Sequence, residues 1–213
     1  MRRAKPRQFL KVASAAGALA LLGASPDARA VFLFTPLGTQ QSVTLRVGSA
    51  NTTVNRVTFT VSNANVSPTP TAVTGVPSAG TPVTSPAGGV EIEVITRNPS
   101  RLFGQFTMTL TADSSSNLAC VAGTGCGTTI IPFSSVRWTS YNQQTGTGAG
   151  QDIQTDAFDG TVAQELASYT STVFLGFGNS VTMRNVLVFE YDNLTLYPAG
   201  RYLGRVVYTA SNL

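Results

Sequence analysis

Glu91 and Glu93 stand two residues apart, as do Glu190 and Asp192. On a strand that spacing puts both carboxyl groups on one face. Carboxylate pairs carry glycoside hydrolysis when they flank a cleft at a set separation. The same pairs on the outer face of a sheet are simply solvated. Asp152, Asp156 and Asp159 gather beside Gly146, Gly148, Gly150 and Gly160. Such a loop could hold calcium through oxygen ligands. Its spacing differs from an EF-hand, and no bidentate glutamate closes it. Trp138 and six tyrosines could offer rings for stacking a sugar. Trp138 alternates with Arg137 and Thr139 as a core residue does. Tyr141 and Tyr197, next to turns, are the better candidates for exposed ligand-binding rings.

The missing residue types narrow the chemistry further. The chain has no histidine, and its two lysines are Lys5 and Lys11. That removes Ser-His-Asp and Cys-His catalysis and His-ligated zinc sites. The many Ser and Thr hydroxyls lack a Lys or His base to activate them. The glycines from Gly146 to Gly150 lack the lysine of a phosphate-binding loop. No cofactor is expected, and no catalytic residue can be named.

Residues 1–30 read as an export signal, with Arg2, Arg3, Lys5, Arg7 and Lys11 ahead of an apolar run from Val12 to Leu22. Ala28-Arg29-Ala30 is a cleavage site in front of Val31. The run is short of the roughly 20 residues that span a membrane. Arg7-Gln8-Phe9-Leu10-Lys11 is similar to the core of a twin-arginine signal, but Pro6 stands where the first arginine belongs. The general secretory route is favoured. Cleavage would leave 183 of the 213 residues, with eight scattered arginines against nine acidic residues, a net charge of −1. The +4 of the whole chain is therefore mostly leader, and it is no argument for nucleic acid. Cys120 and Cys126 in an exported chain are expected to form a disulfide, since a metal pair lacks further ligands and a redox pair has closer spacing.

Residues 31–213 have the size of one domain with a full core. Val43, Leu45 and Val47 alternate with polar residues, as do Val57, Phe59 and Val61, then Val90, Ile92 and Val94, then Phe106, Met108 and Leu110. Each pattern predicts a strand with one buried face. Val186 to Phe189 is continuously apolar, which predicts a central strand covered on both sides. Further strands are expected near 134–140, 172–178 and 201–210, with Gly204 marking a bulge or a close backbone contact. The proline-rich stretch 63–89 is expected either to hide a short strand around Thr71–Val76 or to be an exposed insertion. One helix is expected over Val162–Ser168. The pattern predicts an all-β antiparallel sandwich of roughly nine or ten strands.

Leu187-Val188-Phe189-Glu190-Tyr191, Tyr197-Pro198-Ala199-Gly200-Arg201-Tyr202 and Val206-Val207-Tyr208-Thr209 together resemble the closing hairpin of bacterial pilin-like and spore-coat-U-like secreted proteins. The resemblance covers the end of the chain only. It implies an immunoglobulin-like sandwich with a structural or adhesive role. The cysteines depart from it, because in many pilins the disulfide ties the first strand to a later one. The leading expectation is a non-catalytic fimbria-like or surface-coat subunit at the cell surface, in the periplasm or outside the cell. Self-association would proceed by strand addition, with Val31-Phe32-Leu33-Phe34 either a donor strand or the first strand of its own sheet. The alternatives are a carbohydrate-binding module or carboxylate-based glycan-active enzyme, and a monomeric exported protein. Neither a nucleic-acid partner nor a membrane span after signal removal is expected.

Overall fold

A computed structural model describes residues 40–48, 56–78, 83–99, 103–142, 152–174 and 179–213. The leader, the Val31–Phe34 segment and Gly146, Gly148 and Gly150 lie outside these residues. Fourteen strands are formed among the described residues: β1 (Ser42–Val47), β2 (Val57–Thr58), β3 (Val73–Thr74), β4 (Val76–Pro77), β5 (Val90–Arg97), β6 (Phe103–Asp113), β7 (Leu118–Cys120), β8 (Ile130–Ile131), β9 (Val136–Asn142), β10 (Asp156–Ala157), β11 (Gln164–Phe174), β12 (Ser180–Tyr191), β13 (Tyr202–Leu203) and β14 (Val207–Asn212). Five of the predicted strands fall on β1, β5, β6, β9 and β12. The proline-rich stretch holds β3 and β4 and a single helical turn, α1 (Asn63–Val66).

Two antiparallel sheets enclose the core. The larger has the order β1-β5-β12-β9-β10, with β3 continuing the β5 side of β12. The smaller has the order β11-β6-β14. Val90, Ile92 and Val94 of β5 and Met183, Leu187 and Phe189 of β12 face Met108, Leu110 and Ala112 of β6 in one cluster. Alternation explains this. In an antiparallel sheet, directly opposed residues share a face, so inward residues stack into one apolar layer. The long, apolar β12 is a central strand, as its sequence predicts. Val186 and Leu187, on opposite faces, are both about 1% exposed.

The smaller sheet is too narrow to cover the larger one. The segment after β9 fills the gap with Ile153 and Phe158, both buried. Phe158 packs 4.9 Å from the Trp138 ring and stacks at 6.0 Å on Phe189. The Trp138 indole N–H donates to the Gln154 carbonyl at 2.8 Å, which satisfies the polar atom of a buried ring. At the far end of the sandwich Asn98 joins the sheets. Its Nδ2 donates to Ser171 Oγ on β11 at 3.1 Å, and its Oδ1 accepts from Asn212 Nδ2 on β14 at 2.8 Å.

Two expectations are corrected. The segment predicted as a helix over Val162–Ser168 enters the edge strand β11. A register shift between Glu165 and Ala167 lets consecutive residues Leu166 and Ala167 both turn inward. That interrupts the period of two and imitates a helical apolar pair. The last elements do not form a closing hairpin either. β12 lies in the larger sheet and β14 in the smaller one, so the chain between them crosses from sheet to sheet. The predicted strand 201–210 is split at Gly204. A Cβ there would meet the Asn117 carbonyl oxygen at 2.5 Å and the Phe133 ring at 2.8 Å.

Candidate functional site

The carboxylate pairs sit on the outward face of the larger sheet. Arg46, Glu93 and Arg184 lie directly opposite one another across β1, β5 and β12. Arg46 Nη1 donates to Glu93 Oε2 at 2.6 Å, and Arg184 Nη2 donates to Glu91 Oε2 at 2.7 Å. The hydrogen bond to Glu91 holds the Arg184 guanidinium still further into its charged form. Arg137 on β9 faces Glu190 on β12, with Nε donating at 3.1 Å, and its Nη1 lies 3.5 Å from Asp192 Oδ1. These acids are matched by arginines across neighbouring strands. Glu91, Glu93 and Glu190 point out from a sheet face and do not flank a cleft, so the geometry for glycoside hydrolysis is not built there.

The three loop aspartates are not brought together. Asp156 accepts from the Ala157 N–H at 2.8 Å, and Asp159 accepts from the Thr161 N–H and hydroxyl at 2.8 Å each. The Asp159 bonds make a short local turn of the kind that Asp forms with its own backbone, while Asp156 lies in the strand β10. Asp152 lies near Asn185, and burial raises its pKa against the opposing hydrogen bond from that amide. No group of three or more His, Cys, Asp or Glu among the described residues is placed to hold a metal ion. The calcium candidate Asp152, Asp156 and Asp159 thus gains no support from this arrangement. Nothing in the sequence marked Asn185, whose amide is buried on the core face of β12. It accepts from the Ile153 N–H at 3.4 Å and donates to Ser140 Oγ at 3.2 Å.

Cys120 and Cys126 form the expected disulfide, with their Cα atoms 5.7 Å apart. The loop it closes grips the Pro198–Arg201 turn. The Val121 N–H donates to the Arg201 carbonyl at 2.8 Å, and the Arg201 N–H donates to Thr124 Oγ1 at 3.0 Å. Tyr202 Oη donates to the Pro198 carbonyl at 2.9 Å. The residues that carry the pilin-like resemblance thus build a turn pinned by the disulfide loop. Its small sheet, in the order β13-β7-β8, places Leu203, Ala119 and Ile130 side by side.

Tyr197 packs partly against the core and lines a cavity of about 230 Å³ with Pro132, Ser134, Tyr191, Asp192 and Thr195. Burial pushes the Tyr191 phenol up to about 12. Tyr141 is elsewhere. It is 41% exposed on the outward face, opposite Val186. Val136, the residue opposite Tyr191, stands near the other end of β9, about 16 Å away along the strand. The two tyrosines do not share a platform. The spacing of Glu190 and Asp192 marked Asp192 as half of a carboxylate pair, but Thr195 carries no spacing signal and nothing in the sequence joins either to Ser134, because three elements assemble the site: β12, the loop after it and the Phe133–Ser135 turn.

Comparison with protein-family models, with curated proteins and with solved structures finds no match to this chain.

Proposed function

We propose that this chain is an exported, non-catalytic structural subunit whose copies join by strand addition at the edge of β11. The observation that carries this reading is the edge itself. β11 is eleven residues long, about 36 Å at roughly 3.3 Å per residue. Among the described residues it pairs only with β6. An open edge presents a row of backbone donors and acceptors to another chain, and proteins commonly block it with lysine, proline or a covering element. β11 has neither lysine nor proline; a bulge near its start and Glu165 are its only such features.

Four further observations support the reading. The arginine ladder engages the carboxylate pairs that a glycan-active enzyme would need. The chain lacks histidine, and the first thirty residues have the pattern of an export signal. Val31-Phe32-Leu33-Phe34, at the start of the expected mature chain, supplies an apolar segment suited to alternate-residue docking. The donor role of that segment is tested by deleting residues 31–40 and sedimenting the exported protein. Loss of oligomers with a native circular dichroism spectrum is the expected result. Oligomers that survive the deletion overturn the donor role.

A further inference from the structure

We propose that the cavity lined by Tyr191, Asp192 and Tyr197 is a subsite for one neutral pyranose unit of a glycan. The proposal goes beyond assembly and stands whether or not copies associate. At about 230 Å³ the cavity is smaller than the roughly 300–1,000 Å³ pockets that enclose a whole drug-sized ligand. It suits a single ring whose neighbours remain outside.

The lining matches the two sides of a pyranose. A sugar ring has an apolar C–H face and a rim of hydroxyls. Tyr197 supplies aromatic surface with a polar tip, beside a floor that includes the buried Tyr191. Asp192 supplies a carboxylate, which accepts hydrogen bonds at about four lone-pair positions. Its backbone is fixed, because the Asp192 N–H donates to the Ser135 carbonyl at 2.8 Å. Arg137 Nη1 stands 3.5 Å from Oδ1, a single contact that leaves acceptor capacity toward the cavity. Ser134 and Thr195 contribute hydroxyls able to donate and accept. Leu194, 74% exposed at the rim, adds apolar surface beside the opening.

Charge selects the class of sugar. Asp192 lines the cavity and Arg137 does not, so the anionic partner faces the ligand. A uronate placed there would meet a like charge, whereas a neutral hydroxyl meets an acceptor.

The test is a heteronuclear NMR titration of the isotopically labelled exported protein. The probes are the methyl glycosides of glucose, galactose, mannose and N-acetylglucosamine, with methyl glucuronide as the charged comparison. At least one neutral glycoside is expected to shift the Asp192, Leu194 and Thr195 resonances with a roughly millimolar Kd. The glucuronide is expected to bind about tenfold more weakly or not at all. Asp192→Asn and Thr195→Val should each raise the Kd by about tenfold, and Tyr141→Phe should leave it unchanged. If no neutral glycoside moves these resonances, if the shifts map to another surface, or if the glucuronide binds more tightly, the subsite is overturned. The unmodified protein alone decides this, even where a variant fails to fold.

Discussion

Gly200 lies so close to Cys126 that a Cβ built on it would stand 2.5 Å from the cysteine Sγ. The turn that carries the pilin-like resemblance and the disulfide loop are therefore one packed unit. The glycine is required by the neighbouring sulfur. The two features, more than seventy residues apart in sequence, give no hint of this contact.

Gly200→Ala is therefore expected to destabilise the fold by about 1–3 kcal/mol, the usual cost of forcing extra volume into a filled site. Chemical denaturation monitored by Trp138 fluorescence measures it. The nearest group to the added Cβ is a cysteine side chain held by a covalent bond, so it has little freedom to yield. An unchanged midpoint would mean that the disulfide loop moves aside freely.

Reducing the Cys120–Cys126 bridge, or replacing both residues with serine, should cost about 2 kcal/mol from loop entropy for its short six-residue separation. Combining that change with Gly200→Ala should give less than the sum of the two, because both act on one contact. A double-mutant cycle in urea checks the coupling.

The arginine ladder should matter little to stability. The Arg46, Arg137 and Arg184 side chains are 36–49% exposed against 12–32% for Glu93, Glu91 and Glu190, and ion pairs open to water on the arginine side contribute about 0–1 kcal/mol each. Glu91→Gln with Glu93→Gln should lower stability by about 1 kcal/mol or less in low salt, and by still less in high salt. Thermal melts at two ionic strengths measure the difference.

Stability should be nearly flat across the neutral range, since the chain has no histidine to titrate there. The alkaline limb is set by buried phenols. Burial raises Tyr191 to about 12 and raises Tyr208 as well. Their contribution is fully present below the unfolded pKa of about 10 and is lost as pH rises through the folded values. Tyr191→Phe and Tyr208→Phe should each make the unfolding midpoint less sensitive to pH above about 10. Denaturation curves across that range carry the test.

Much of the fold was legible because one rule wrote it. Val90, Ile92 and Val94, then Phe106, Met108 and Leu110, alternate cleanly and form the two strands that face each other across the core. The rule fails where local geometry departs from a plain strand. Leu166 and Ala167 are consecutive and both buried, because the ladder bulges beside them. Ile153 and Phe158 enter the core from outside the long strands, so no periodicity announced them. The site residues fared differently by type. Cys120 and Cys126 pair locally and could be read from spacing. Tyr197 meets Asp192 and Ser134 only through tertiary packing. Asp152, Asp156 and Asp159 are close in sequence, yet Asp156 and Asp159 each turn Oδ1 to a neighbouring backbone N–H rather than to a shared site.

Assembly through the β11 edge is measured by sedimentation velocity. The exported protein is compared with a Thr170→Lys, Thr172→Lys variant over a range of concentrations. Both threonines are exposed on β11, and lysines on an edge strand oppose pairing with another chain. The unmodified protein should form concentration-dependent oligomers, and the variant should sediment as a monomer with an unchanged melting profile. A monomeric unmodified protein, or oligomers that persist undiminished with both lysines in place, would contradict assembly through this edge.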